Sequence, residues 1–445
     1  MPRFSFFLFS VATVGLLICI LVTKTSGQDV AQQSDSSKIH QEGGLSDQPE
    51  DPENLLNSIS QRRTQKNSLL SFSGLESIHD ASDRGKKNLD EAIHLNLGLA
   101  FTHLFQWISE APLAPDTTWG MASDLDFLGT LALVDRGGPK QGQIYFQFEG
   151  RWEYGTTGPE RLGTVGVGSV VGTANTFSQY APSIFILRNL YWQQGSKEAG
   201  WIYRIGKITT DATLSTSAHI ASPLTFLPTA GTGPFSNALT DSGFGIAATW
   251  FINKNLKLLG IVSDANANRQ NWGDITAGDF YSAIELEVKI APKTAKAGYS
   301  KITLWHTDET KDGQVVNGHL GPEGWGFFLK HEQELSSDGR AVGVLRYGKS
   351  FNKSAVYEQQ FGAHFLLYNP TGLTRLQHDL MGAAFNWARA NVPGTDGEYN
   401  VELFYRFPLL PHLDITFSYQ SLIKPALDPE NKHASAFGVR LRTTF

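Results

Sequence analysis

The chain has 445 residues, among them 44 Gly, 19 Pro and 1 Cys, with 11% aromatics and a formal net charge of −6. A hydrophobic fraction of 41% and a mean hydropathy of −0.21 exclude a polytopic helical membrane protein, which needs repeated long apolar runs. The near-neutral balance gives no support for a nucleic-acid binder, which normally carries a basic stripe, and abundant Gly and aromatics point to many strands and turns.

The one long apolar run, Phe4 to Val22, lies between Arg3 and Lys24 and is followed by the small residues Thr25-Ser26-Gly27. This pattern predicts a signal peptide over 1–27, cleaved before Gln28. The single Cys19 sits inside it with Ile18 before it, where lipidation would want Gly or Ala. Cleavage leaves a mature chain without cysteine, so disulfides, thiolate zinc sites and cysteine nucleophiles drop out together. Residues 28–74 are rich in Gln, Ser, Asp and Glu and read as a disordered polar tether, with a short amphipathic helix allowed around Leu55–Ile59. A short lead-in follows over 75–93.

From 94 to 445 the dominant signal is alternation with period two. Ile144, Phe146, Phe148 and Trp152 alternate with Tyr145, Gln147, Glu149 and Arg151; Leu413, Ile415, Phe417 and Tyr419 alternate with Asp414, Thr416, Ser418 and Gln420. A soluble sandwich buries the apolar face, whereas a transmembrane barrel turns it to lipid and keeps a wet lumen. Many segments run to ten residues or more, as spanning a bilayer at a tilt requires. Trp107, Trp152, Trp192, Trp201, Trp250 and Trp387 fall near segment ends, which suits interfacial girdles. Sixteen segments can be placed, at 94–108, 119–134, 142–155, 183–193, 200–209, 243–252, 256–263, 279–290, 298–306, 324–335, 341–349, 355–368, 378–389, 398–407, 413–423 and 435–445. Short connections alternate with long ones, and 210–242 is the longest. The expected fold is all-β: a transmembrane antiparallel barrel of 16 strands after a signal peptide and tether.

Arg204-Ile205-Gly206-Lys207 with Asp211, the run from Glu398 to Pro425, and Phe437-Gly438-Val439-Arg440-Leu441 with terminal Phe445 are three stretches that together resemble one family, the carbohydrate-selective porins of the OprB type. The chain departs from the family pattern at Phe417-Ser418-Tyr419-Gln420-Ser421. The resemblance covers most of 75–445. It implies a porin in the outer membrane of a Gram-negative-type bacterium, passing mono- or oligosaccharides by diffusion, with outer-membrane lipid around it and self-association of barrels left open.

On that reading the connection 210–242 folds inward and narrows the lumen. Alternation places Glu149, Arg151 and Glu153 on one inner wall, Glu402 and Arg406 on another, and Arg204 inside as well. Lys207 and Asp211 complete the candidate pore residues. Guanidinium groups facing carboxylates make a transverse field and offer many donors to neutral polyols; the plainer reading is that these charges keep a lumen wet. Other chemistry fails. Asp308-Xaa-Thr310-Xaa-Asp312-Gly313 has His319 where a calcium loop needs a bidentate Glu. The Gly163–Gly172 run lacks dinucleotide spacing, and the twelve His are scattered singly. No enzyme activity, cofactor or metal is expected. The alternatives are a general or ion-preferring porin, a plugged structural or adhesin barrel, and a soluble glycan-binding β-protein.

Overall fold

The computed structural model describes residues 44–62, 67–155, 157–179, 184–290 and 297–445. The expected signal peptide 1–27 and its Cys19 lie outside the described residues. Sixteen antiparallel strands close into a barrel in chain order. They are β1 (Leu95–Ile108), β2 (Trp119–Val134), β3 (Gly142–Tyr154), β4 (Phe185–Ser196), β5 (Trp201–Ile208), β6 (Gly243–Asn253), β7 (Leu256–Asp264) and β8 (Phe280–Ile290). The second half comprises β9 (Gly298–Thr307), β10 (Gly324–Glu334), β11 (Ala341–Phe351), β12 (Tyr357–Tyr368), β13 (Leu380–Ala390), β14 (Glu398–Leu410), β15 (Leu413–Ile423) and β16 (His433–Thr444). All sixteen expected segments are present, and closure joins β1 to β16 from Ala100↔Thr444 to Ile108↔Ala436. Leu99 and the terminal Phe445 exchange backbone hydrogen bonds of 2.8 Å in each direction.

The period-two pattern becomes an inside and an outside. On β16, Ala434, Ala436, Arg440, Arg442 and Thr444 are buried, whereas Phe437 and Leu441 are exposed. Phe105, Trp107, Ile246, Trp250, Leu304, Trp325, Leu345, Phe385 and Phe417 are likewise exposed on the outer surface. A continuous apolar belt of this kind marks a face that meets lipid. Aromatic pairs border it, with Trp107 stacked on Phe437 and Trp325 on Phe351 at one end, and Trp201 on Tyr203 at the other. Among the described residues no helix is long and apolar enough to cross a membrane.

Residues 28–43 and 63–66 of the expected tether lie outside the described residues, and the described part departs from that reading. Within 28–74, residues 44–62 enter the lumen and end in helix α1 (Pro52–Arg62). Asp51 caps this helix: its carboxylate accepts the Glu53 N–H at 3.1 Å, and Pro52 stands at the first helical position. Leu55, Leu56 and Ile59 are buried against Ala100 and Leu128 of β1 and β2. Each such side chain contributes about 1.5–3 kcal/mol on burial, which offsets part of the ordering entropy of a polar segment. The helix allowed around Leu55–Ile59 is therefore real and longer. The lead-in over 75–93 is helical too, as α2 (Ser73–Ile93). His79 of α2 stacks at 3.8 Å on His412 and at 4.9 Å on Phe445, so α2 packs over the β14–β15 turn and the residue that follows β16.

Candidate functional site

Two outer connections fold into the barrel. The longer, 209–242 between β5 and β6, is held by wall side chains that satisfy its backbone, because buried peptide groups need partners. Carboxylates and an amide take its N–H groups: Glu285 accepts from Ser215 (2.7 Å), Glu402 from Leu227 (3.0 and 3.2 Å) and Gln360 from Ser236 (2.6 Å). Arginines take its carbonyls: Arg406 donates to Leu224 (2.9 Å), Arg440 to Thr225 (2.8 Å) and Ser222, and Arg346 to Gly231. The connection between β3 and β4 turns inward as well over 157–179. Glu398 accepts from Val170 N–H (2.7 Å) and the Ser169 hydroxyl, while Gln106 and Gln420 both donate to the Thr173 carbonyl (3.0 and 2.7 Å). Nothing in the sequence reading anticipated this second inward loop.

Between these loops and the wall of β2–β4 lies a cavity of about 260 Å³. Charged pairs line it. Glu149 accepts from Arg151 (2.5 Å) and from Arg188 (2.9 Å), and Arg188 also approaches Asp211 at 3.7 Å. Arg151 reaches Asp124 at 3.3 Å, Gln147 donates to Asp126 at 2.8 Å, and Asn189 donates to Gln147 at 2.6 Å. Across the cavity stand Asp241 with Arg269 (2.9 Å), hydroxyls of Thr176, Ser215, Thr216 and Thr232, and the ring of Phe235. Burial pushes the Asp211 carboxyl up, and Arg188 opposes that rise. The chemistry on offer is many fixed donors and acceptors of both signs beside one flat apolar face, a set that matches a hydroxylated ring.

The eight candidate pore residues separate on this geometry. Glu149, Arg151 and Asp211 line the cavity. Glu402 and Arg406 are spent on the backbone of the inward loop. Glu153 accepts from the Gln179 N–H at 3.3 Å and so borders the second loop. Lys207 is buried, with its ammonium on the carbonyls of Asn271 (2.6 Å) and Arg269 (3.3 Å). Arg204 faces inward as expected but lies beneath the N-terminal segment. It makes a two-pronged pair with Asp51 (2.5 and 3.0 Å), with the Tyr191 ring 4.8 Å away.

Arg188 escaped the sequence reading for a local reason. The β3–β4 ladder shifts register between Gln147 and Phe148, leaving Arg188 as the extra residue of a bulge, and the inward parity changes there from Ile186 to Asn189. Alternation alone carries no sign of a bulge. Glu50 and Gln48, which line the cavity from the N-terminal segment, were missed because that segment was read as a tether. Among the described residues Glu50, Asp124 and Asp126 bring carboxylate oxygens within 4.8 Å of one another. The calcium-like stretch at 308–319 is an outer connection, where Asp308 accepts the Phe280 N–H at 2.8 Å and His319 points Nε2 at the Asp308 carbonyl at 2.9 Å.

The family model described as "Carbohydrate-selective porin, OprB family" matches residues 317–445, which run from an outer connection through β10–β16. Among solved structures, the high-pH form of Pseudomonas putida OprB is 12% identical with a TM-score of 0.65, over 82% of this chain and 97% of that one. Its low-pH form is 9% identical with a TM-score of 0.50, over 82% and 96%. Likeness at these identities speaks for the fold. An uncharacterized protein of Synechocystis sp. is 25% identical over 322 residues, 64% of this chain and 50% of that protein. The chain therefore spans about half the length of that curated relative. The resemblance to the carbohydrate-selective porins of the OprB family stands, carried by the match over β10–β16 and by the porin barrel that those strands close.

Proposed function

We propose that the protein is an outer-membrane porin through which small carbohydrates diffuse, with the cavity between the inward loop 209–242 and the β2–β4 wall as the selective passage. The observation that carries this reading is the cavity's lining: Arg151 and Arg188 bracket Glu149, carboxylates of Asp126 and Asp211 flank them, and hydroxyls and Phe235 stand opposite. Neutral polyols find both donors and acceptors there, and mixed charges cancel along the axis instead of concentrating one ion. A resident cofactor has no part in such a passage. The apolar belt supports insertion in the outer membrane of a Gram-negative-type cell, with barrels free to associate laterally.

The test is conductance in planar bilayers with and without mono- and disaccharides. The expected result is weak ion selectivity with a sugar-dependent reduction in current. Strong selectivity for one ion sign with no sugar effect would favour a general porin.

A further inference from the structure

We infer that residues 44–62 form a second gate along one side of the pore, beneath the loop constriction, and that this segment sets the size of solute that passes. The inference rests on the reading of the barrel as a channel. Short connections at 135–141, 197–200 and 254–255 mark one rim of the barrel, and the segment's wall partners lie towards that rim. From there the segment runs along the lumenal wall. Asp47 pairs with Lys301 of β9 and approaches Lys257 of β7 at 3.7 Å. Asp51 is bound by Arg204 of β5, and Glu53 accepts from Gln193 of β4 at 3.1 Å. Leu56 and Ile59 end the run against β1 and β2. The partners fall on β9, β7, β5, β4, β2 and β1 in turn, so the segment follows the inner wall through half of the sixteen-stranded ring. A chain laid along half of the wall narrows the opening, whatever the loops above it do.

The fastening is reversible in kind. Three ion-paired carboxylates and a small apolar patch hold the segment, with hydrogen bonds and no covalent link. Asp51 couples two functions in one group, because the same carboxylate that caps α1 grips Arg204. Loosening that pair therefore frays the helix as well as its wall contact. Gln48 and Glu50 on the same segment form part of the cavity lining, so its position alters the space that a solute meets.

The experiment compares full-length protein with two variants in planar bilayers and in liposome swelling with sugars of increasing size. In Asp47→Asn/Asp51→Asn the charges of the clasp are gone. In Asp47→Asn/Asp51→Asn/Ile59→Cys/Gly98→Cys, on a Cys19→Ser background, a disulfide pins α1 of the loosened variant to β1, where a Cβ on Gly98 would lie 2.8 Å from the Ile59 Cδ1. The exposed periplasmic-turn variant Asp338→Asn serves as a charge control. Heat-dependent migration in gels checks that each barrel is folded. The expected result is a several-fold higher conductance and a larger exclusion limit for the loosened variant. The oxidised double-cysteine variant should show neither until reduced. Equal conductance and equal exclusion in all folded variants would overturn the gate. A change in conductance without any sugar block would leave the gate standing and remove the carbohydrate reading.

Discussion

At the scale of single residues, the charge of the pore depends on where each group's partners lie. Glu50 lies outside the membrane-spanning strands, and burial pushes its carboxyl from 4.5 up to about 8; Arg442 opposes this and Asp126 adds to it. A carboxyl raised in the folded state is protonated below that value and ionises as the pH rises through it. The native state thus holds an extra proton between the two values, and that stabilisation is lost as the pH rises towards 8. Cation preference, read from reversal potentials, should increase between pH 6 and pH 9, and Glu50→Gln should remove most of that rise. Arg204 and Arg188 make a second, contrasting pair. Arg188→Ala should weaken sugar block, with an upper bound of about 1.5–3 kcal/mol for a charge-assisted hydrogen bond and less where water reaches it. Arg204→Ala should instead leave Asp51 buried without its cation, a loss of about 3–5 kcal/mol if the segment stays in place. Its readout is protease cleavage within 44–62, which should appear in the variant and not in the native protein.

At the scale of elements, the strands were legible because lipid imposes one uniform rule on their outer face. Phe437, Val439 and Leu441 had to be apolar whatever the lumen contained, and their partners Ala436, Arg440 and Arg442 followed by parity. The lumen obeys no comparable rule. A polar segment is normally solvated, so Asp47, Glu50, Asp51 and Glu53 read as a tether; their partners Lys301 and Arg204 lie far along the chain. The local signal for α1 was present, with Asp51 as cap, Pro52 at the first position and apolar Leu55, Leu56 and Ile59 in helical spacing. What no local signal carried was burial. Inward Glu402 and Arg406 were identified, yet alternation cannot tell a sugar contact from a loop anchor. As an anchor, Glu402→Ala should strand the Leu227 N–H at a cost of about 1–3 kcal/mol. The loop would then sample wider positions, and liposome swelling should admit larger sugars than the native protein does.

At the scale of the whole molecule, closure depends on the two ends of the barrel sequence meeting. Leu99 and Phe445 exchange hydrogen bonds at the seam, and His79 of α2 stacks on Phe445 there. A closed antiparallel barrel has no free edge, so opening it breaks a complete ladder at once. The protein should therefore migrate fast in detergent gels until boiled. Deleting Phe445 should lower the temperature at which the slow form appears, by weakening the one seam that joins distant parts of the chain.

The lumenal segment has a further consequence for the whole channel, in the sign of what it attracts. Asp47, Asp51 and Glu53 neutralise Lys257, Lys301 and Arg204 on the wall. If the segment swings out, those three cations face water, and Glu285 and Glu287 beside Lys257 and Lys301 offset two of the three charges. The half of the passage nearest the short turns then carries a net positive charge, which raises the local concentration of anions. A channel that is nearly indifferent to charge when shut would become a path for acidic solutes when open. Reversal potentials of the loosened variant should shift towards chloride, and the shift should shrink as salt is added.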